Sequence, residues 1–252
     1  MTRPIVMGII NATPDSFYDG GRYKDLVARA KILVDEGADW IDIGGESTRP
    51  GAELVTTEEE LQRVIPVIEE VSKFATVSID TTKPEVAKEA CRAGATILND
   101  VQGLQHPKMK EVTALFEKTI IMHSRGRPAT MQELTEYDSV VEHVKSWLLH
   151  QAQSCLSQEV WLDPGIGFAK TAEQSLLLIR HLDQFVALGH PILLGASRKS
   201  FIGKVLQKKS PDQRLAGSLA AVAAGWNAGV KAFRVHDVQE TRDVLDFLQA
   251  TS

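Results

Sequence analysis

Ile192-Leu-Leu-Gly-Ala-Ser-Arg-Lys-Ser-Phe201 opens as an apolar run of strand length, breaks at Gly195, and passes through Ser197, Arg198, Lys199 and Ser200 into a segment of helical periodicity. An ammonium, two hydroxyls and the N–H groups of a helix start crowd this strand-to-helix corner, a combination suited to an anion. Seven similar corners occur. Strand-like runs fall at 5–10, 40–43, 76–79, 96–98, 119–122, 160–162, 192–194 and 232–235. Most are continuously apolar, as strands covered on both faces are. Helical periodicity marks 57–72, 84–93, 139–156, 171–188 and 211–228, and Thr57–Glu60, Thr82–Glu85 and Asp237–Glu240 have capping-box spacing. Eight strand–helix units in 252 residues predict an α/β chain closed into a single parallel (β/α)8 TIM barrel. No Pro/Gly/Ser linker or low-complexity tract divides it, so residues 1–252 read as one domain.

Composition narrows the function classes. A formal net charge of -5 argues against a nucleic-acid or anionic-membrane surface, either of which needs a basic face. No apolar run reaches the ~20 residues that span a bilayer, and no signal-peptide pattern opens the chain, so the expected compartment is the cytoplasm. Cys91 and Cys155 lack Cys-x-x-Cys spacing and read as free thiols in helical segments.

A TIM barrel carries its chemistry at the C-terminal ends of its strands. Polar groups collect there: Asn11 after the first run, Gly44-Gly-Glu-Ser-Thr-Arg-Pro-Gly51 after the second, Asp80 after the third, Asn99 and Asp100 at the fourth, His123 at the fifth, Asp163-Pro-Gly-Ile-Gly-Phe168 at the sixth, and Arg234 and His236 at the eighth. Asp80 and Asp163 directly end apolar runs, where a carboxylate needs a buried partner or a ligand. The alternative is capping, weaker for Asp80 because Thr82 holds the better cap position, while Pro-Gly after Asp163 also suits a turn. With Asn99, these carboxylates could read the N–H and C=O edge of a heterocycle. Asp100 and Asp237 read as turn or capping residues. Lys199, Arg234 and His236 are the candidate cationic or donor groups for an anion; His123 beside Met122 reads equally well as a core residue. No Walker A loop or Gly-x-Gly-x-x-Gly fingerprint is present.

Ile9-Ile-Asn-Ala-Thr-Pro-Asp-Ser-Phe17, Asp42-Ile-Gly-Gly-Glu-Ser-Thr-Arg-Pro-Gly51, Ser78-Ile-Asp-Thr81, Leu98-Asn-Asp-Val101, Leu162-Asp-Pro-Gly-Ile-Gly-Phe168, Gly195-Ala-Ser-Arg-Lys-Ser-Phe201 and Arg234-Val-His-Asp237, in this order, resemble the dihydropteroate synthase family across nearly the whole chain. The resemblance implies condensation of 6-hydroxymethyl-7,8-dihydropterin diphosphate with 4-aminobenzoate to 7,8-dihydropteroate and pyrophosphate, with Mg²⁺ assisting and sulfonamides competing for the aminobenzoate site. It implies Asp80, Asn99, Asp163 and Lys199 around the pterin ring, walled by Val101, Met122 and Phe168. It assigns the diphosphate to Asn11, Thr48, Arg49, Arg234 and His236, with Asn11 also at Mg²⁺. It assigns the aminobenzoate to Phe17, Thr48, Arg49, Pro50 and Ser197, on two loops that are mobile in the family. Lys199, Asp80, Asp163 and Arg234 would carry the catalysis, and a homodimer through late helices is implied.

The chemistry agrees with that layout. Cleavage of the pterin methylene C–O bond sends negative charge to diphosphate and positive charge to pterin, so cations are needed on one side and carboxylates on the other. An aromatic amine is neutral near pH 7 and needs no strong general base. Ala12, Tyr18, Thr82 and Ile166 depart from the residues more common in the family, and His123-Ser-Arg-Gly-Arg127 adds positive charge; none removes a catalytic group. Two alternatives are a methyltetrahydrofolate-type methyltransferase barrel, which has no use for the Ser197–Ser200 corner, and a non-catalytic pterin-binding paralogue.

Overall fold

The computed structural model describes residues 3–12, 22–47, 54–127 and 129–251. In chain order the elements are β1 (Ile5–Asn11), α1 (Arg22–Asp35), β2 (Trp40–Gly44), α2 (Thr57–Val71), β3 (Thr76–Asp80), α3 (Pro84–Arg92), β4 (Ile97–Asp100), α4 (Met109–Val112), β5 (Lys118–Met122), α5 (Val140–Ala152), β6 (Glu159–Asp163), α6 (Ala172–Arg180), α7 (Leu182–Val186), β7 (Leu193–Leu194), α8 (Ser200–Leu206), α9 (Leu215–Ala228), β8 (Ala232–Val235) and α10 (Val238–Ala250). The strands form one parallel sheet in the order β6-β5-β4-β3-β2-β1-β8-β7. Leu162 closes it by bridging to Ile192 and donating its N–H to the Pro191 carbonyl at 3.0 Å. The chain is therefore the expected (β/α)8 barrel.

Strand alternation divides the interior into two zones. Met7, Trp40, Ile97, Ile120, Trp161, Leu193 and Ala232 fill the N-terminal end of the barrel with an apolar plug, in which the Trp40 and Trp161 rings meet edge-on at 5.1 Å. Further along the same strands the chemistry changes: Asp42, two residues beyond Trp40, Asn99 beyond Ile97, Asp163 beyond Trp161 and Arg234 beyond Ala232. Residues of the opposite parity, such as Ile41, Ile43, Val77, Ile79, Leu98 and Phe233, pack under the helices. The plug thus keeps water out of the floor on which the polar groups stand.

Several local expectations shift. The α2 capping box is Thr56–Glu59, one residue before the predicted pair, and Glu60 turns inward to be buried. α3 starts from Lys83 with Pro84 at its first turn, so Thr82 caps nothing; Asp237 occupies the α10 cap position but binds Arg198 instead of the helix. The 171–188 segment breaks at His181 into α6 and α7, and a 3-10 turn, Pro211–Arg214, precedes α9. Both cysteines are free thiols, Cys91 within α3 and Cys155 just beyond α5. Among the described residues, no helix is long and apolar enough to cross a membrane.

Candidate active site

Asn11, Asp80 and Asp163 are the last residues of β1, β3 and β6, Asn99 and Arg234 lie one residue inside the ends of β4 and β8, and Lys199 follows β7 immediately before α8. The structure therefore brings together at one mouth the polar residues predicted for the pterin. Val101 and Met122 are buried at the ends of β4 and β5, and Asp80, Val101 and Phe168 line one cleft with Lys83, Gln102 and Arg127. Phe17, Thr48, Arg49 and Pro50 lie outside the described residues.

Beneath the mouth runs a charged network that the sequence does not disclose. Asp42 is fully buried; its Oδ2 accepts from Arg234 Nε at 2.6 Å and from Asn99 Nδ2 at 3.2 Å. Arg234 Nη2 donates to Asp80 Oδ2 at 2.8 Å. Two buried carboxylates thus divide one guanidinium. Burial pushes the Asp80 carboxyl above its usual range; Arg234 opposes the rise and the Asp42 charge adds to it. Arg234, expected on the diphosphate, commits Nε and Nη2 to carboxylates, while no described residue takes its Nη1. Asp42 Oδ1 has no partner among the described residues.

On the opposite wall, Lys199 Nζ donates to the Ile166 carbonyl at 2.6 Å and sits 4.6 Å from the centre of the Phe168 ring. Burial lowers the Lys199 pKa to about 8, against the pull of Asp163. Burial likewise raises the Asp163 carboxyl, opposed mainly by Lys199 and by the Gly165 N–H, which donates to Asp163 Oδ1 at 2.8 Å. Gly165 has φ +66, and a Cβ on it would lie 1.9 Å from the His123 carbonyl oxygen, so the turn after Asp163 admits only glycine there. Lys170 holds this turn from beneath. Its buried ammonium donates to Gly165 O at 3.0 Å and Phe168 O at 2.9 Å, and meets His123 Nδ1 at 2.9 Å. Burial pushes Lys170 well below the ordinary lysine value and likewise lowers His123, whose ring meets Trp147 edge-on at 4.9 Å. His123 is thus a core residue joining β5 to the following turn.

The anion corner predicted at 197–200 is taken apart by the fold. Lys199 turns towards Phe168, and Arg198 is held by Asp237 and, at 2.6 Å, by Asp212. Ser197 Oγ lies 3.1 Å from His236 Nδ1 and accepts from the His236 N–H at 3.2 Å, pairing the ends of β7 and β8. Asp100 takes the turn role expected of it, accepting at 2.8 Å from the N–H groups of both Gln102 and Leu104.

Asp42 and Lys170 escaped the sequence reading, as did the Lys83 ammonium that bridges Glu46 and buried Glu60. Asp42 had a signal: a carboxylate inside the apolar run Trp40–Ile43 must find a buried cation. Lys170 had none, because a lysine after a Gly-rich turn ordinarily faces water. Among the described residues, no group of three His, Cys, Asp or Glu is arranged to hold a metal.

A family model described as pterin binding enzyme matches residues 7–236. The dihydropteroate synthase of Synechocystis sp. is 45% identical, over 98% of this chain and 90% of its own length. The crystal structure of Xanthomonas albilineans dihydropteroate synthase with 4-aminobenzoic acid superimposes with a TM-score of 0.92 at 42% identity, covering 99% of this chain and 93% of its own. That of the Thermus thermophilus enzyme in complex with 6HMPPP gives 0.88 at 40%, covering 100% and 95%.

Proposed function

The chain belongs to the dihydropteroate synthase family of pterin-binding transferases, and on that premise we propose that it condenses 6-hydroxymethyl-7,8-dihydropterin diphosphate with 4-aminobenzoate, releasing pyrophosphate, through a pterin cation. The observation that carries this is the polarity of the strand ends: acceptors Asp80, Asn99 and Asp163 converge from β3, β4 and β6, while Lys199, Arg234 and His236 supply donors from the β7–β8 side.

The pterin sits over the apolar plug with its N–H edge towards these acceptors, walled by Val101, Met122 and Phe168. Its diphosphate lies towards Asn11, His236 and the Nη1 of Arg234, and the family resemblance assigns Thr48 and Arg49 to it as well. Breakage of the C–O bond sends the electron pair to the diphosphate. The cation left behind faces Asp80, whose carboxylate gains attraction as that charge develops. The aminobenzoate nitrogen, between Phe17, Pro50 and Ser197, then bonds to the methylene carbon, and its surplus proton passes to water. Sulfonamides occupy the same side. Asn11 offers a hard amide oxygen at the rim of β1, which fits a cation that takes one or two protein oxygens and fills its shell with phosphate and water. A Mg²⁺ ion held there would supply charge neutralisation to the diphosphate.

We further propose a cytoplasmic homodimer through the late helices. Phe247 on α10 is 70% exposed, whereas the small residues of α9 serve packing within the chain: a Cβ on Gly225 would meet the Phe233 ring at 2.7 Å. Sedimentation of wild type and Phe247→Asp tests this; a monomeric wild type rejects it.

Identification of 7,8-dihydropteroate by chromatography after incubating the protein with both substrates and Mg²⁺ tests the reaction; a methyl transfer or no product refutes it. A heavy-oxygen label in the C–O–P bridge tests the route. Scrambling of the label into the outer phosphate oxygens without aminobenzoate is expected, and normal turnover without scrambling would replace the cation by a direct displacement.

A further inference from the structure

We propose that Asp42 is a positioning residue for this reaction, fixing the Asn99 carboxamide with its oxygen presented to the pterin and tethering Arg234 at the height where it meets Asp80. The proposal deepens the function proposed above and rests on it.

Asp42 Oδ2 accepts from both Asn99 Nδ2 and Arg234 Nε. A carboxylate only accepts, so the reversed carboxamide would set two oxygens against each other; Asp42 therefore decides which way the Asn99 amide faces. With Nδ2 spent downwards, Asn99 offers Oδ1 on the side away from Asp42, and the mouth above presents acceptors at Asn99, Asp80 and Asp163. That is the complement of the donor-rich edge of an aminopyrimidinone. If position 42 donated instead, Asn99 would present N–H and the edge would be misread. The same carboxylate sets the height of Arg234, whose Nη2 would otherwise be free to follow Asp80 towards solvent. Asp42 is fully buried just above the Trp40–Trp161 plug, where a lost bond to a charged group is costly.

Asp42 also tunes what it holds. Asp80 faces Arg234 from β8, Asp42 from β2, Asp100 from β4 and Glu60 from α2, and Lys199 lies close enough for Asp80 to act on it. Removing the Asp42 charge deletes one contribution that raises Asp80 and releases the whole of Arg234 to it. Asp80 then ionises at lower pH.

The test measures binding of the dihydropterin diphosphate by calorimetry across pH, with steady-state kinetics, for wild type, D42N and the double variant D42N/N99D. In the double variant the carboxamide placed at position 42 can accept from Arg234 through its oxygen and donate through its nitrogen to the carboxylate placed at position 99, restoring the bonds with the charge moved across. For D42N the expectation is pterin affinity weakened by about 10-fold or more, an unchanged KM for aminobenzoate, and an acid limb displaced to lower pH. The double variant is expected to regain most of the affinity. A folded D42N with wild-type affinity and wild-type acid limb overturns the proposal, as does a folded double variant that binds no better than D42N. If D42N does not fold, the double variant carries the test: folding with pterin binding supports the proposal, and folding without it, or failure of both to fold, makes Asp42 a structural residue only. A wild type that binds no pterin diphosphate overturns the functional reading itself, which separates the two failures.

Discussion

Lys199 Nζ stands 4.6 Å above the centre of the Phe168 ring while its hydrogen bond to Ile166 O ties it to the same turn. The ammonium is thus fixed by the turn that also carries Asp163, and its charge depends on pH in the working range. Its pKa, lowered to about 8 by burial, means that the cation is complete below that value and lost above it. Turnover is expected to fall as pH rises through about 8. In Lys199→Arg, whose guanidinium stays charged, that alkaline limb should vanish whatever the overall rate. A pH–rate profile decides; an unchanged limb in the arginine variant would assign it elsewhere.

Removing either half of this wall should cost turnover more than fold. Lys199→Ala and Asp163→Asn are each expected to lower kcat/KM by about 10²-fold or more, the scale of one charged transition-state contact. Wild-type rates in both variants would remove these residues from the site.

Gly165→Ala tests the turn from the backbone side. Its Cβ would fall 1.9 Å from the His123 carbonyl oxygen at φ +66, so the turn must move and take the Gly165 N–H from Asp163. Pterin binding should fall by at least ~10-fold, the scale of a lost bond to a charged group; unaltered binding would show that the turn is dispensable.

Lys170→Met leaves Gly165 O and Phe168 O without their shared donor, and His123 Nδ1 without its partner, inside the barrel wall. A loss of about 3 kcal/mol in urea unfolding is expected, since a buried acceptor left unpaired costs ~1–3 kcal/mol and methionine recovers part by packing. A loss below about 1 kcal/mol would mean that the turn relaxes to satisfy itself.

Arg234→Met strands Asp42 and Asp80 without their cation, at an expected cost of about 3–5 kcal/mol above the Asp80 pKa of about 8. Asp80, already raised by burial, loses the guanidinium that opposed the rise, so its folded value moves further above its unfolded one. The extra cost from Asp80 is then complete above the variant's folded pKa and absent below the wild-type folded value of about 8, where the carboxyl is protonated in both folded proteins. The stability gap to wild type should therefore narrow as pH falls; a constant gap would contradict the shared-cation account.

The barrel was legible because strand-length apolar runs repeat and most end on a polar residue; Asp80, Asn99 and Asp163 could be placed at the rim from that pattern alone. Partners were harder. Arg234 reads as an anion ligand until the fold brings it across 192 residues to Asp42, and Asp42 reads as one polar interruption in a strand until alternation turns it inward. Caps slipped by one residue at Thr56 because Thr56 and Thr57 both suit the position, and only the burial of Glu60 against Lys83 settles the register. Lys170 follows a turn whose geometry depends on positive φ at Gly165, Gly167 and Ala169, which local spacing does not reveal.

Joining of a pterin to an arylamine at this rim, with loss of diphosphate, is the proposed reaction. It is tested most directly by pyrophosphate release from the purified protein given the dihydropterin diphosphate and Mg²⁺, with and without 4-aminobenzoate and a sulfonamide. Sustained release that requires aminobenzoate and falls when the drug competes with it is the predicted result. Tight pterin binding with no release under any of these conditions would contradict it.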